Sequence, residues 1–176
     1  MSDDLILKIC SAGSYGVGKT SLIRRYAENK FSSSYTPTIG VDITTKRVTV
    51  NNHKIKLLLI DTAGQEYFGK IRKYYFEGAF SCIVVYDITR YDSFSDLDRW
   101  ITDFKSVVGE KALIAIIGNK SDLEELRTVQ SEEGRNYAEK HGFPFYECSA
   151  KLGGEVIPKL YTDLVHQYLF SLGEVD

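Results

Sequence analysis

Short apolar runs alternate along the chain with longer stretches whose apolar residues recur every three or four positions. Leu5 to Cys10 is an apolar run that predicts a buried strand, and Ser21 onward predicts a helix. Asn29 to Gly40 is a polar loop rich in Ser, Thr and Tyr. Val41 to Val50 alternates as a half-exposed strand should, Asn51-Asn52 marks a hairpin turn, and Lys54 to Ile60 returns antiparallel at a sheet edge. Ile83 to Tyr86, Leu113 to Ile117 and Phe145 to Cys148 predict strands apolar on both faces, as in a parallel sheet. Helices are predicted over Ser93 to Val108, Ser131 to His141 (with Ser131 as N-cap) and Val156 to Ser171, where Pro158 is tolerable only in the first turn. Their aromatic residues are expected in the core.

The fold class that follows is α/β: a six-stranded, mostly parallel sheet with one antiparallel edge strand and helices on both faces. In such sheets ligands bind at the carboxyl ends of the strands. No repeat, low-complexity tract or linker interrupts residues 1–176, which read as a single domain.

Composition narrows the function classes. A net charge of −2 gives no reason to expect nucleic acid as a partner, and no apolar stretch is long enough to span a bilayer. The three cysteines, Cys10, Cys82 and Cys148, stand in or beside predicted strands and read as reduced core thiols, which points to a cytoplasmic location.

The chemistry begins after the first strand. Gly13-Ser14-Tyr15-Gly16-Val17-Gly18-Lys19-Thr20 has the spacing of a phosphate-binding loop, with Ser21 opening the helix behind it. Its glycines let backbone N–H groups turn inward, and the helix N-terminus adds positive potential. Lys19 can reach the outer phosphates of a nucleotide, and the Thr20 hydroxyl can hold Mg²⁺. A second motif, Asp61-Thr-Ala-Gly64-Gln65, ends a strand in an acid. Asp61 can hold Mg²⁺ through a coordinated water, the Gly64 N–H can approach a γ-phosphate, and the Gln65 amide can orient an attacking water. A third, Asn119-Lys120-Ser121-Asp122, offers a carboxylate matched to the two donors on one edge of guanine, which adenine lacks. Lys120 can cover base and ribose, and Asn119 can tie this loop to the phosphate loop. In Ser149-Ala150-Lys151, the Ala150 N–H can meet the guanine carbonyl oxygen.

In this order and spacing, these motifs resemble the small GTPases of the Ras superfamily over essentially the whole chain. Thr36-Pro-Thr-Ile-Gly-Val-Asp42, Lys73-Tyr-Tyr-Phe-Glu-Gly-Ala79 and Tyr86-Asp-Ile-Thr89 resemble the Rab branch. The resemblance implies a small GTPase fold and a GTP-hydrolysing switch that uses Mg²⁺, with Rab-like membrane trafficking as its setting. It implies that Thr38 binds Mg²⁺ with Thr20 and Asp61, that Phe31 lies edge-on to guanine, and that Tyr35 closes over the phosphates. Residues 32–42 and 64–76 would be the switch segments, contacting effectors, an exchange factor and a GTPase-activating protein, and the chain would be a monomer.

Several departures from the family pattern bear on rate and partners. Tyr15 occupies a place where the family has glycine or another small residue; it either crowds the γ-phosphate, Gln65 or a partner's arginine and slows hydrolysis, or points outward. No arginine stands in an obvious place to act within the chain. Ile60 replaces a Trp and Tyr67 an Arg typical of Rab proteins, which affects recognition by standard Rab partners. No cysteine-containing prenylation motif follows Ser171, so membrane attachment would require a lipidated tail absent from this chain. The rival readings are a GTP-binding scaffold with little hydrolysis and a metabolic nucleotide kinase.

Overall fold

The computed structural model describes residues 5–34, 37–62 and 69–173, the side chains of 69–72 excepted. Six strands form one sheet in the order β2-β3-β1-β4-β5-β6. They are β1 (Leu5–Ala12), β2 (Val41–Val50), β3 (His53–Thr62), β4 (Ser81–Asp87), β5 (Leu113–Asn119) and β6 (Phe145–Glu147). All pairings are parallel except β2 with β3. That pair closes on Asn51 and Asn52, both with positive φ (46° and 66°), as a two-residue hairpin requires.

Alternation along each strand feeds two cores. Ile9, Leu57, Leu59, Ile83 and Val85 face one side, under α1 (Lys19–Glu28) and α6 (Val156–Ser171). Cys10, Ile60, Cys82, Val84 and Ile116 face the other, where α4 (Leu97–Val108) contributes Trp100 and Phe104. Tyr26 of α1 stacks on Tyr161 of α6 with ring centroids 3.8 Å apart, joining the two helices on their face. α2 (Gly69–Phe76), α3 (Tyr91–Ser95) and α5 (Ser131–His141) complete the helices. Trp100, Phe104 and Tyr161 are all fully buried, as expected of core aromatics.

The structure departs from the sequence expectations at four places. The helix expected over Ser93 to Val108 begins at Tyr91 and is interrupted at Asp96, whose backbone (φ −79°, ψ −4°) drifts from helical values while its carboxylate accepts a bond from Ser14. The N-cap of α5 is Gln130 rather than Ser131, because the Glu133 carboxylate reaches back to the Gln130 N–H at 2.8 Å. β6 ends at Glu147 and is only half-buried, since it is an edge strand with one neighbour. α2 and a short 3₁₀ stretch, Ser121–Leu126, are additional elements.

β1 lies between β3 and β4, so the chain diverges to opposite sides at its carboxyl end. That is the switch point at which doubly wound sheets open a crevice.

Candidate functional site

At this point the chain turns through Gly13–Gly18 before α1 begins at Lys19. Two close approaches require glycine there. A Cβ on Gly13 would stand 2.2 Å from the Val85 carbonyl oxygen, and one on Gly18 would stand 2.2 Å from Asn119 Nδ2. Their φ values, 139° and 99°, are also ones that side-chain-bearing residues rarely adopt.

The loop is bolted from outside. Ser14 Oγ donates to Asp96 Oδ2 at 2.8 Å and accepts from Trp100 Nε1 at 3.4 Å, while Arg90 Nη1 donates to the Tyr15 carbonyl at 2.6 Å. Lys19 is buried, its ammonium donating to the carbonyls of Gly13 (2.8 Å) and Ser14 (3.0 Å) at the loop's centre. The Val17 side chain is part of the core, so what Val17 presents to the loop is backbone.

Next to Lys19, three oxygen-bearing side chains converge. Thr20 Oγ1 donates to Asp61 Oδ2, Thr38 Oγ1 reaches the same oxygen at 3.2 Å, and the two hydroxyls are 2.9 Å apart. Asp61 is buried, and burial pushes its carboxyl above the usual range, against the hydrogen bond from Thr20, the charge of Lys19 and the bond from Thr38. Two hydroxyls and one carboxylate are hard oxygen donors, too few to fill an octahedron alone. That is the donor set of a magnesium ion that keeps waters and substrate phosphate in its shell. The residues present therefore fit Mg²⁺.

At the other end, Asn119 acts as a rivet. Its Nδ2 donates to the Val17 carbonyl at 2.9 Å, and its Oδ1 accepts the Ala150 N–H at 3.1 Å. Asp122 Oδ1 accepts from Ser149 Oγ at 2.5 Å, and Lys151 Nζ lies 3.9 Å from Asp122 Oδ2. Lys120, in left-handed backbone conformation, pairs with the buried Asp87 at 2.6 Å. Arg25 of α1 donates to the carbonyls of Ala150 (2.9 Å) and Lys151 (2.7 Å), fixing the last loop to the first helix.

These pieces line one cleft of about 370 Å³. Tyr15, Gly16, Gly18, Lys19, Thr20, Ser21, Phe31, Thr38, Asn119, Lys120, Asp122, Ala150 and Lys151 are on its wall. Gly13, Ser14, Val17, Asp61 and Ser149 stand behind that wall and hold it. Tyr35, Gly64 and Gln65 lie outside the described residues. Tyr15 is 44% exposed yet lines the cleft, so it stands at the mouth rather than wholly inside or outside.

Sequence reasoning missed the supports: Arg25, Asp87, Arg90, Asp96 and Trp100, together with Arg24 on the wall itself. Only Asp87 left a signal, as an acid ending an apolar strand in the manner of Asp61.

The Ras family profile matches residues 8–169. This chain belongs to the Ras family. It is 40% identical over 169 residues to the Ras-related protein Rab-11B of Dictyostelium discoideum, covering 96% of this chain and 76% of that protein. It is 41% identical over 148 residues to the human Ras-related protein Rab-3A, covering 84% of this chain and 67% of that one. As a Rab-like member of the Ras family it is a GTP-binding switch and a GTPase. Ras-family GTPases bind guanine nucleotide, generally with Mg²⁺, and the cleft has the chemistry for both.

Among the described residues, no helix is long and apolar enough to cross a membrane.

Proposed function

We propose that this Ras-family chain is a slow Rab-like switch, cycling between GTP and GDP in this cleft and acting in vesicle trafficking on the cytosolic face of membranes. The observation that carries the reading is the convergence of a phosphate cradle, a Thr20/Thr38/Asp61 oxygen set and the Asp122 carboxylate along a single cleft. Its effectors, exchange factor and GTPase-activating protein engage segments 32–42 and 64–76, and it works as a monomer.

In this reading, the chain contributes position and charge rather than covalent chemistry. The Gly13–Thr20 backbone and Lys19 cradle the β- and γ-phosphates. Thr20, Thr38 and Asp61 hold Mg²⁺, which when bound offsets the charge on the phosphate oxygens. Gln65 orients the attacking water, the Gly64 N–H meets the γ-phosphate, and Tyr35 closes over it. Asp122 accepts from the guanine edge, the Ala150 N–H is shared between Asn119 Oδ1 and the guanine carbonyl oxygen, and Lys120, Lys151 and Phe31 cover the base.

Tyr15 sets the rate. Standing at the cleft mouth, its ring crowds the space where Gln65 or a partner's arginine must arrive, so hydrolysis is slow and responds weakly to activating proteins. The same observation favours a second reading, a nucleotide-binding scaffold with almost no hydrolysis. Single-turnover phosphate release separates the two. Acceleration in Tyr15→Gly, abolished by adding Gln65→Leu, supports the slow switch. No release from wild type or Tyr15→Gly supports the scaffold, and an unchanged rate in Tyr15→Gly refutes the steric role.

A further inference from the structure

A feature of the phosphate loop lies in a side chain 75 residues away from it. Arg90, in the turn between β4 and α3, donates from Nη1 to the Tyr15 carbonyl at 2.6 Å. Its Nη2 is pinned by the Asp92 carboxylate at 3.0 Å, so the guanidinium is held on two sides. The same Nη1 stands 3.5 Å from the place a Cβ on Gly16 would occupy. Arg90 is absent from the cleft wall, whereas Tyr15 and Gly16 are both on it.

The Tyr15–Gly16 peptide transmits this contact. A trans peptide is planar, and its C=O and N–H point in opposite directions. Holding the Tyr15 carbonyl on Arg90, which is not on the cleft wall, therefore aims the Gly16 N–H away from Arg90, in a peptide whose two residues both border the cleft. Gly16, with φ 74°, sits in a region where a glycine peptide can rotate at little steric cost, so without a clamp that direction is weakly specified. A cation on the carbonyl oxygen also polarises the peptide and makes its N–H a stronger donor to an anion.

We propose that Arg90 is a positioning residue of the phosphate site: it fixes and polarises the Tyr15–Gly16 peptide so that the Gly16 N–H is presented to the nucleotide's phosphates, with Asp92 holding Arg90 in place. The inference rests on the reading of this cleft as the nucleotide site. Arg90 acts through the backbone and touches no phosphate itself. It also fixes where the Tyr15 side chain leaves the loop, which links the clamp to the residue that departs from the family pattern.

The test is the rate of GDP release from the Mg²⁺-loaded protein, measured with melting temperature for Arg90→Ala, Arg90→Gln, Arg90→Lys and Asp92→Asn. A bond from a charged donor at a half-exposed site predicts that Arg90→Ala releases GDP about tenfold faster. Arg90→Lys, which retains charge and donor, recovers most of this; Arg90→Gln, which retains only the donor, recovers less; and Asp92→Asn shows a smaller acceleration. Single-turnover GTP hydrolysis falls in the same order while melting temperatures stay together. A wild-type release rate in Arg90→Ala, or rates that follow melting temperature instead of side-chain charge, overturns the proposal. Failure of the wild type to bind GDP at all would instead overturn the reading of the cleft, so the two failures are distinguishable.

Discussion

Replacing Asn119 with alanine removes a side chain that bonds directly to both the phosphate loop and the base-end loop. Asn119 is 1% exposed, and its two partners, the Val17 carbonyl and the Ala150 N–H, belong to residues that are equally buried. Truncation leaves one acceptor and one donor unpaired, each costing about 1–3 kcal/mol. The space beside Gly18 lets water satisfy part of this, so a loss of about 3 kcal/mol is expected. For a chain of this length that lowers the melting temperature by about 6–12 °C. GDP protection should suffer as well, because the cradle and the base loop are no longer held in register. The assay is calorimetric melting with and without excess GDP and Mg²⁺. Asn119→Asp is the informative companion: it keeps the acceptor for Ala150 but faces the Val17 carbonyl with a carboxylate, so it should do no better than alanine. A fall of less than about 2 °C in Asn119→Ala, with an undiminished rise on adding GDP, would refute the rivet.

Three further outcomes follow. Chelating Mg²⁺ should speed GDP release from wild type, and Thr20→Ala, which removes one of the converging oxygens, should already release quickly and respond little to chelator; equal responses would contradict the metal assignment. Trp100→Ala should cost about 3–5 kcal/mol in denaturant unfolding, since Trp100 is fully buried in the core that also holds Phe76 and Phe104 and donates to Ser14; a loss under about 1 kcal/mol would show that the second core tolerates its removal. Burial pushes the thiols of Cys10 and Cys148 up to about 12 and holds that of Cys82 well above its ordinary value, so none should react with a thiol reagent at neutral pH until the chain is unfolded. The sign also sets a pH dependence: the folded state favours the protonated thiols, so stability declines as pH rises above about 8.5, where unfolded cysteines ionise.

What was legible in the sequence, and what was not, divides by range. Gly13, Gly18, Lys19, Asp61, Asn119 and Asp122 sit in short motifs whose spacing carries its own chemistry, and each motif follows an apolar run that ends at the same edge of the sheet. The strands were legible because nearly continuous apolar residues between turn signals admit few other readings, and the Asn51-Asn52 hairpin because both residues tolerate positive φ. The braces were hidden, since Arg90 and Asp96 act on residues 75 and 82 positions away, and Arg25 on one 125 away; nothing in local pattern marks such a pairing. The break at Asp96 has the same origin, a helix yielding to a tertiary bond that its periodicity does not encode. α2 escaped notice because its eight residues carry too little periodic contrast to stand out.

The central claim is that one cleft both cradles phosphate and reads the base through Asp122. Isothermal titration of the Mg²⁺-containing wild-type protein with GDP and with ADP tests it most directly. A carboxylate matched to two donors on guanine predicts that GDP binds and ADP binds about 10⁴-fold more weakly, if at all. Comparable binding of the two nucleotides, or binding of neither by folded protein, would contradict it.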